Sequence, residues 1–256
     1  NITAGFGRAN QITFRYERVE QDNNPFNRMV DNKFVKANEL VWLDGFNNVT
    51  KENGFYRTNI GAVKAPELVV MAKYKYSNLA KAKNADVFIY DKASYTESPN
   101  VYVTSDFKTE TKLTNTNPQQ QNYNWGTAEL VKWTTPKGYK AEGILYKPEN
   151  FDPNKKYPMI VNFYEKSSDG LHSHRAPSPG RSTISYSFYA SRGYVIFNPD
   201  VYYREGYPGE SAFNCVIPGV TSLIEKGFID KDNIGTQGHS WGGYQIAYLV
   251  TKTDIF

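Results

Sequence analysis

The stretch Gly235-Thr236-Gln237-Gly238-His239-Ser240-Trp241-Gly242-Gly243 constrains this chain more than any other. Within it, Gly238 to Gly242 fits the G-x-S-x-G nucleophile elbow, a sharp strand-to-helix turn that lifts a serine hydroxyl out of a sheet. Such a turn needs a strand before it and a helix after it. Asn233 to Gln237, led by Ile234, is the candidate strand, and Trp241 to Thr251 the candidate helix, with Tyr244, Ala247, Tyr248 and Thr251 at helical spacing. The serine of an elbow is backbone-strained, and a side chain at Gly238 or Gly242 would crowd the backbones packed against it. The hydroxyl would stand at a helix N-terminus beside the backbone N–H of Trp241, a donor that can stabilise an oxyanion. Small residues in a strand-to-helix corner also serve plain packing; strand, elbow and helix together favour a nucleophile.

A hydrolase built on this elbow carries its triad in the chain order Ser, then Asp or Glu, then His. Here all three histidines, His172, His174 and His239, precede Ser240. The one acid after it, Asp254, falls at the end of the helix, too early for the triad. The expectation is a chain that ends inside a catalytic domain, the middle of a longer enzyme and catalytically incomplete as written.

Bulk properties narrow the class further. The 30 basic and 26 acidic residues give a net charge of +4, a mixed surface and not a nucleic-acid footprint. No stretch is long and apolar enough to span a membrane, and no signal peptide is visible. The single cysteine, Cys215, allows no intrachain disulfide and falls in a helix-like run as a core residue. The sequons Asn1-Ile2-Thr3 and Asn48-Val49-Thr50 are short patterns expected by chance. His172 and His174 have a spacing that could suit a metal, but two histidines without further ligands do not make a site. No metal or cofactor is expected.

Residues 1–122 read as repeated short strands. Ile12, Phe14 and Tyr16 alternate with polar residues as a half-buried strand. Gln21 to Asn27 is a polar turn with Pro25. Further strands are expected at Glu39 to Leu43 (ended by Asp44-Gly45), Leu68 to Tyr76 (Val70, Ala72, Tyr74 and Tyr76 on one face), Val87 to Tyr90, Val101 to Val103 and Thr111 to Leu113, with a turn at Asp106 to Thr109. Asp86 and Asp91 read as strand-edge and turn residues. Aromatics are 15% of the chain, 20 of them tyrosine, which suits β-structure. Many short strands suggest a sandwich, barrel or propeller, and without a clean period the residues do not choose among them. Asn115 to Trp125, polar and proline-bearing, reads as a linker.

Residues 123–256 change character. Ala128 to Thr134 and Ala141 to Tyr146 alternate around a Pro136-Lys137-Gly138 turn, as an antiparallel hairpin. Pro158 to Tyr164 is a near-continuous apolar strand, as expected when both faces are buried. A helix follows from Ser182 to Arg192, stopped by Gly193; then a strand from Tyr194 to Asn198; then a helix from Ser211 to Lys226 that Pro218 should delay or kink, with Gly227 closing it. Strand, helix, strand, helix, strand, elbow, helix is the first half of a doubly wound sheet.

Five stretches, in this order, resemble the prolyl oligopeptidase family of serine peptidases. They are Lys156-Tyr157-Pro158-Met159-Ile160-Val161; Ala190-Ser191-Arg192-Gly193-Tyr194-Val195; the loop Asn198 to Arg204; Gly227 to Gly235; and Gly238-His239-Ser240-Trp241-Gly242-Gly243-Tyr244, whose double glycine separates this family from many lipases. The resemblance covers residues 128 to 256. It extends more weakly back to Ser98-Pro99-Asn100-Val101-Tyr102 and Leu113 to Pro118, which look like the end of the family's β-propeller.

The resemblance implies an α/β-hydrolase, of which the chain holds the N-terminal half of the doubly wound sheet. An all-β segment precedes it, the last blades of a propeller. It implies peptide substrates and a periplasmic or secreted location; it implies neither nucleic acid nor membrane insertion, and oligomeric state is not indicated. By position, Ser240 matches the nucleophile, Trp241 N–H one oxyanion donor, and Tyr164 the tyrosine whose hydroxyl supplies the second, against a plain reading of Tyr164 as a core residue. The Trp241 side chain could line the substrate pocket. Arg204 and Glu205 stand where an Arg-Gly pair is usual and are candidate substrate contacts, with a surface role the simpler reading for Glu205. Glu165-Lys166-Ser167-Ser168 replace the small residues and proline that usually follow the tyrosine, so that loop should have a different shape. No Glu-Glu pair supports an exopeptidase mode. Two other readings stay open: an acyl-ester hydrolase on the same elbow, and a propeller-bearing binding module with a degenerate hydrolase domain.

Overall fold

The computed structural model describes residues 2–19, 37–180 and 182–256. The turn expected over residues 21–27 lies outside the described residues. Packing divides the chain into two units, Asn1–Asn117 with His172–His174, and Pro118–Leu171 with Arg175–Phe256.

The first unit opens with a short helix α1 (Phe6–Ala9) and holds two four-stranded sheets among the described residues. One is β1 (Ile12–Glu17), β2 (Leu40–Asn47), β3 (Asn53–Asn59) and β4 (Glu67–Ala72). The other is β5 (Lys75–Lys81), β6 (Phe88–Ala93), β7 (Asn100–Thr104) and β8 (Thr111–Lys112). In both, strands lie in chain order and every neighbouring pair is antiparallel. The core joining them is aromatic: Trp42, Phe55, Tyr76, Phe88, Tyr90 and Tyr102 around Leu79. Trp42 meets Phe88 at 5.0 Å between centroids, and Phe55 meets Tyr76 edge-on at 5.8 Å.

Three local expectations change here. Asp44-Gly45 do not end β2, which runs through both; Gly45 is needed because a Cβ there would sit 2.7 Å from the Tyr56 ring. β3 is a strand that the pattern of residues does not announce, since it opens on Asn53-Gly54, a pair more usual in turns. The structure pairs Asn53 across the unit instead: its amide donates to Asp44 Oδ1 (2.9 Å), and the Tyr76 N–H donates to its Oδ1 (2.7 Å). The expected strand over 68–76 is two strands in different sheets, broken at residues 73–74, so Val70, Ala72, Tyr74 and Tyr76 share no continuous face. Alternation of residue types survives a chain bend; a sheet face does not. Tyr16 is 62% exposed, leaving Ile12 and Phe14 as the inward residues of β1. The turn after β7 forms as expected, with Asp106 Oδ1 accepting the N–H groups of Lys108 and Thr109.

In the second unit, β9 (Thr127–Thr134) and β10 (Lys140–Lys147) make the hairpin. β11 (Tyr157–Asn162), β12 (Val195–Pro199) and β13 (Ile229–Gln237) complete a sheet of order β13-β11-β12-β10-β9. β11 is parallel to both β12 and β13, whereas β10 is antiparallel to β9 and β12. Helices α2 (Tyr186–Ala190), α3 (Pro208–Glu225) and α4 (Trp241–Leu249) cover it. Strand alternation separates the two faces. Leu145, Met159, Val161 and Phe197 pack with Ala212, Cys215, Val216 and Val220 of α3. The alternate residues Tyr146 and Asn162 instead meet Tyr186 of α2, whose hydroxyl donates to Asn162 Oδ1.

Boundaries differ from expectation for readable reasons. α2 does not begin at Ser182: Gln237 Nε2 holds the Ser182 carbonyl (2.8 Å) and Ser185 is extended at ψ 109°. α3 begins earlier, with Pro208 in its first turn, where a fixed φ and a missing N–H cost nothing. It then runs unbroken through Pro218. In the turn before that proline, Trp133 Nε1 donates to the Cys215 carbonyl at 2.9 Å. β13 starts at Ile229 and not near Asn233. α4 buries Gly242, Gln245 and Leu249, while Tyr244 is 52% exposed. Two stripes of that helix share the 3.6-residue period, and the neighbouring sheet selects between them. Cys215 is fully buried, its Sγ 3.4 Å from the Tyr139 hydroxyl.

Candidate active site

The C-terminal ends of the three parallel strands carry a polar seam. Asn162 Nδ2 donates to the Gln237 carbonyl (3.0 Å) and to Gln237 Oε1, and Asn198 Nδ2 donates to the Asn162 carbonyl. These amides fix the strand ends relative to one another where the chain leaves β13 for the elbow. Ligands of open α/β sheets bind outside such carboxyl ends.

Ser240 adopts φ 52° and ψ −113°, a conformation that costs a non-glycine residue about 1–3 kcal/mol and persists only where surroundings impose it. The surroundings are the two glycines. A Cβ on Gly238 would lie 2.7 Å from the Gly242 carbonyl carbon and 2.8 Å from Ile246. A Cβ on Gly242 would lie 2.5 Å from the Phe163 carbonyl oxygen and 3.9 Å from Tyr164 Cα. The start of α4 is therefore pressed onto the end of the β11 segment, bringing Ser240, Trp241 and Tyr164 into one small region. Ser240 is exposed and sits at the N-cap of α4, making no capping hydrogen bond with its side chain. Its hydroxyl is free to face a substrate, and the dipole of α4 favours developing negative charge beside it.

Gly242→Ala should thus lower stability by roughly 1–3 kcal/mol, because backbone must move to admit the methyl group. Gly235→Ala is the control: nothing lies within 4 Å of a Cβ there, and the change should stay within about 0.5 kcal/mol. Denaturant midpoints of both variants check this, and equal midpoints would mean the elbow is not tightly packed.

Tyr164 is 46% exposed and is not a core residue. Its backbone, in contrast, is held. The Tyr164 carbonyl accepts from Tyr203 Oη (2.7 Å) and from Gln245 Nε2 (2.9 Å). The same Gln245 amide donates to the Trp241 carbonyl (3.0 Å), and Trp241 Nε1 donates to Tyr203 Oη (3.0 Å). The Trp241 ring stacks on Tyr244 at 5.4 Å. The loop after Tyr164, Glu165 to Ser168, is tied by fully buried Asp200. Its Oδ1 accepts the N–H groups of Ser167 (2.6 Å) and Ser168 (2.8 Å), and its Oδ2 the Ser168 hydroxyl (2.5 Å). Burial pushes the Asp200 carboxyl up; the Ser168 and Ser167 hydrogen bonds oppose this, and the nearby Glu142 charge adds to it. Residue types gave no hint of Asp200, Tyr203 or Gln245. A glutamine on the inward face of α4, four residues after Trp241, is the signal that could have found one of them.

Arg204 and Glu205 are not drawn to Ser240 by any described contact. Arg204 lies over the Tyr207 ring (3.5 Å) and pairs with Glu210 (3.0 Å) at the start of α3; Glu205 is exposed in the turn between them. His172 and His174 belong to the first unit, where Nε2 of each lies 3.3 Å from the Thr50 carbonyl and the Ser98 hydroxyl respectively. Burial lowers both imidazoles. Among the described residues no three His, Cys, Asp or Glu side chains could hold a metal together.

Partial burial pushes the Tyr203 phenol up to about 12, and Tyr139, half-buried and bonded to Cys215, also to about 12. Each folded phenol holds its proton more tightly than the usual value near 10. The stability this confers is complete below pH 10 and is lost as pH rises from 10 towards 12. Unfolding midpoints should therefore fall across that interval, and Tyr203→Phe should flatten the slope; an identical slope in the variant would remove Tyr203 from the account.

An open mixed sheet, parallel across β13, β11 and β12, with a strained serine at a strand-to-helix corner defines the elbow class of α/β fold. The model of the prolyl oligopeptidase family matches residues 182–256. Dipeptidyl peptidase 8 of Mus musculus is 25% identical over 249 residues, 86% of this chain and 27% of that protein. The Homo sapiens protein of the same name is 30% identical over 142 residues, 50% of this chain and 16% of that protein. Among solved structures, an acylaminoacyl peptidase in complex with Z-Gly-Gly-Phe-chloromethyl ketone aligns at TM-score 0.65 and 17% identity, over 95% of this chain and 36% of that one. The AtxE2 isopeptidase aligns at 0.63 and 16%, over 86% and 35%. These structural likenesses show the fold. Residues 182–256 carry the signature of the prolyl oligopeptidase family, and the chain is similar in sequence to dipeptidyl peptidases of that family. It spans about a quarter or less of the length of these curated relatives.

Proposed function

We propose that this chain is part of a serine peptidase that hydrolyses oligopeptides through an acyl-enzyme on Ser240. The observation that carries the proposal is the strained Ser240 at the N-terminus of α4, with Gly242 pressed on the Phe163 carbonyl. Ser240 Oγ attacks the peptide carbonyl as a histidine takes its proton; the amine leaves with a proton returned by that histidine, and water then hydrolyses the ester. The Trp241 N–H and the Tyr164 hydroxyl receive the negative charge that forms on the carbonyl oxygen. On this reading the triad acid and histidine come from sequence following Ser240 outside these residues, and the 256 residues alone are inactive. The first unit's paired four-stranded meanders then read as propeller blades, and the second unit as the N-terminal half of an α/β-hydrolase domain.

The test is fluorophosphonate labelling of the full-length protein with mapping of the adduct, followed by a panel of proline- and alanine-containing peptides. An adduct on Ser240 together with peptide cleavage supports the reading. Ester cleavage without peptide cleavage makes the protein an acyl-ester hydrolase, and a folded protein that takes no label makes it a binding module.

A further inference from the structure

The two groups proposed to hold the oxyanion lie on different elements. Trp241 N–H opens α4, and Tyr164 follows β11. Their separation is not set by either element. It is set where the elements are tied, and besides the packing of Gly242 on Phe163 one buried side chain bonds to both backbones. Gln245 is fully buried, one turn along α4 from Trp241, and its Nε2 donates at once to the Trp241 carbonyl (3.0 Å) and the Tyr164 carbonyl (2.9 Å). An amide NH2 has two protons, so both bonds form together. Tyr203 closes the cluster from the loop after β12. Its hydroxyl accepts from Trp241 Nε1 (3.0 Å) and lies within donating distance of the Tyr164 carbonyl (2.7 Å) and Gln245 Oε1 (3.1 Å). With one proton it serves one of these acceptors at a time.

We propose that Gln245, supported by Tyr203, is a positioning residue that fixes the distance between the two oxyanion donors. Neither side chain touches the reacting atoms in this proposal. The inference rests on the Ser240 and Tyr164 roles given above. A buried polar group satisfied on all sides rigidifies its surroundings, and an oxyanion site works only if its donors are held in place before the charge forms. Methionine at position 245 keeps volume and burial but removes both donors. The Trp241 carbonyl keeps its helical bond, so what is lost is chiefly the tie to Tyr164.

The test uses the full-length protein, a fluorogenic peptide that it cleaves, and a peptidyl boronic acid that forms a tetrahedral adduct with the serine. Gln245→Met should lower kcat by roughly 10- to 100-fold, since small misplacements of catalytic geometry cost on the order of 10²-fold. Boronate affinity should fall in parallel, while KM stays within about twofold, a split that general loosening of the fold would not produce. In a Tyr164→Phe background the same change should cost less than about threefold, because its target is already gone. Tyr203→Phe, which deletes one hydroxyl, should show the same pattern more weakly and keeps the test open if Gln245→Met does not fold. Unchanged kcat and boronate affinity in a folded variant, or losses that multiply fully with that of Tyr164→Phe, overturn the inference. Ser240 labelling and its loss in Ser240→Ala are scored in parallel. If those hold while Gln245→Met is silent, only the positioning role falls; if turnover survives Ser240→Ala, the underlying reading falls and this inference with it.

Discussion

Ser240→Ala in the full-length protein is expected to abolish fluorophosphonate labelling and to lower kcat by on the order of 10⁶-fold, while leaving the fold intact. The size of the effect follows from covalent catalysis: without Oγ no acyl-enzyme forms, and only binding and the oxyanion donors remain. The intact fold follows from the structure. Ser240 is exposed and its side chain makes no capping bond, so alanine removes nothing that packs. Alanine also relieves none of the backbone strain at φ 52°, since only glycine visits that region freely. The variant should therefore unfold at nearly the same denaturant concentration as the parent. Persistent labelling of Ser240→Ala would place the nucleophile elsewhere.

Tyr164→Phe should lower kcat by about 10²–10³-fold, or roughly 2.7–4 kcal/mol of transition-state stabilisation, if its hydroxyl donates to the oxyanion. The residue's exposure makes this a clean measurement. At 46% exposed, its hydroxyl lies outside the core, and its removal should change stability by no more than about 0.5 kcal/mol. The backbone ties from Gln245 and Tyr203 survive the substitution because they go to the carbonyl. A folded variant with full activity would make Tyr164 a surface tyrosine and leave the oxyanion to Trp241 N–H and some other donor.

The elbow is legible in the residues because its chemistry is local. A serine forced to positive φ needs small neighbours within two positions on either side, and Gly238 and Gly242 supply them in one short word. The hairpin, the buried strands and the two crossover helices of the second unit are legible for a related reason, since apolar runs and alternation report how many faces of an element are covered. The first unit is less so. β3 hides behind Asn53-Gly54, where a turn-forming pair is turned into strand by bonds to Asp44 on the neighbouring strand and to the backbone of Tyr76, 23 residues on. The division of 67–81 into strands of two sheets is likewise invisible, because the bend between them changes which sheet a residue joins without changing the pattern of residue types.

What the amino-acid order determines by itself is the nucleophile, its flanking glycines and the alternation of strand and helix that delivers it, for each is fixed by near neighbours. What only the tertiary structure decides is which stripe of α4 faces inward and which side chains hold the strand end beside it. Gln245 becomes a tie because β11 passes next to α4, and Asp200 becomes a clamp because the loop after Tyr164 folds back over the end of β12. Hydrogen bonds between segments roughly 32 to 81 residues apart depend on the three-dimensional path of the chain, and no local pattern encodes them.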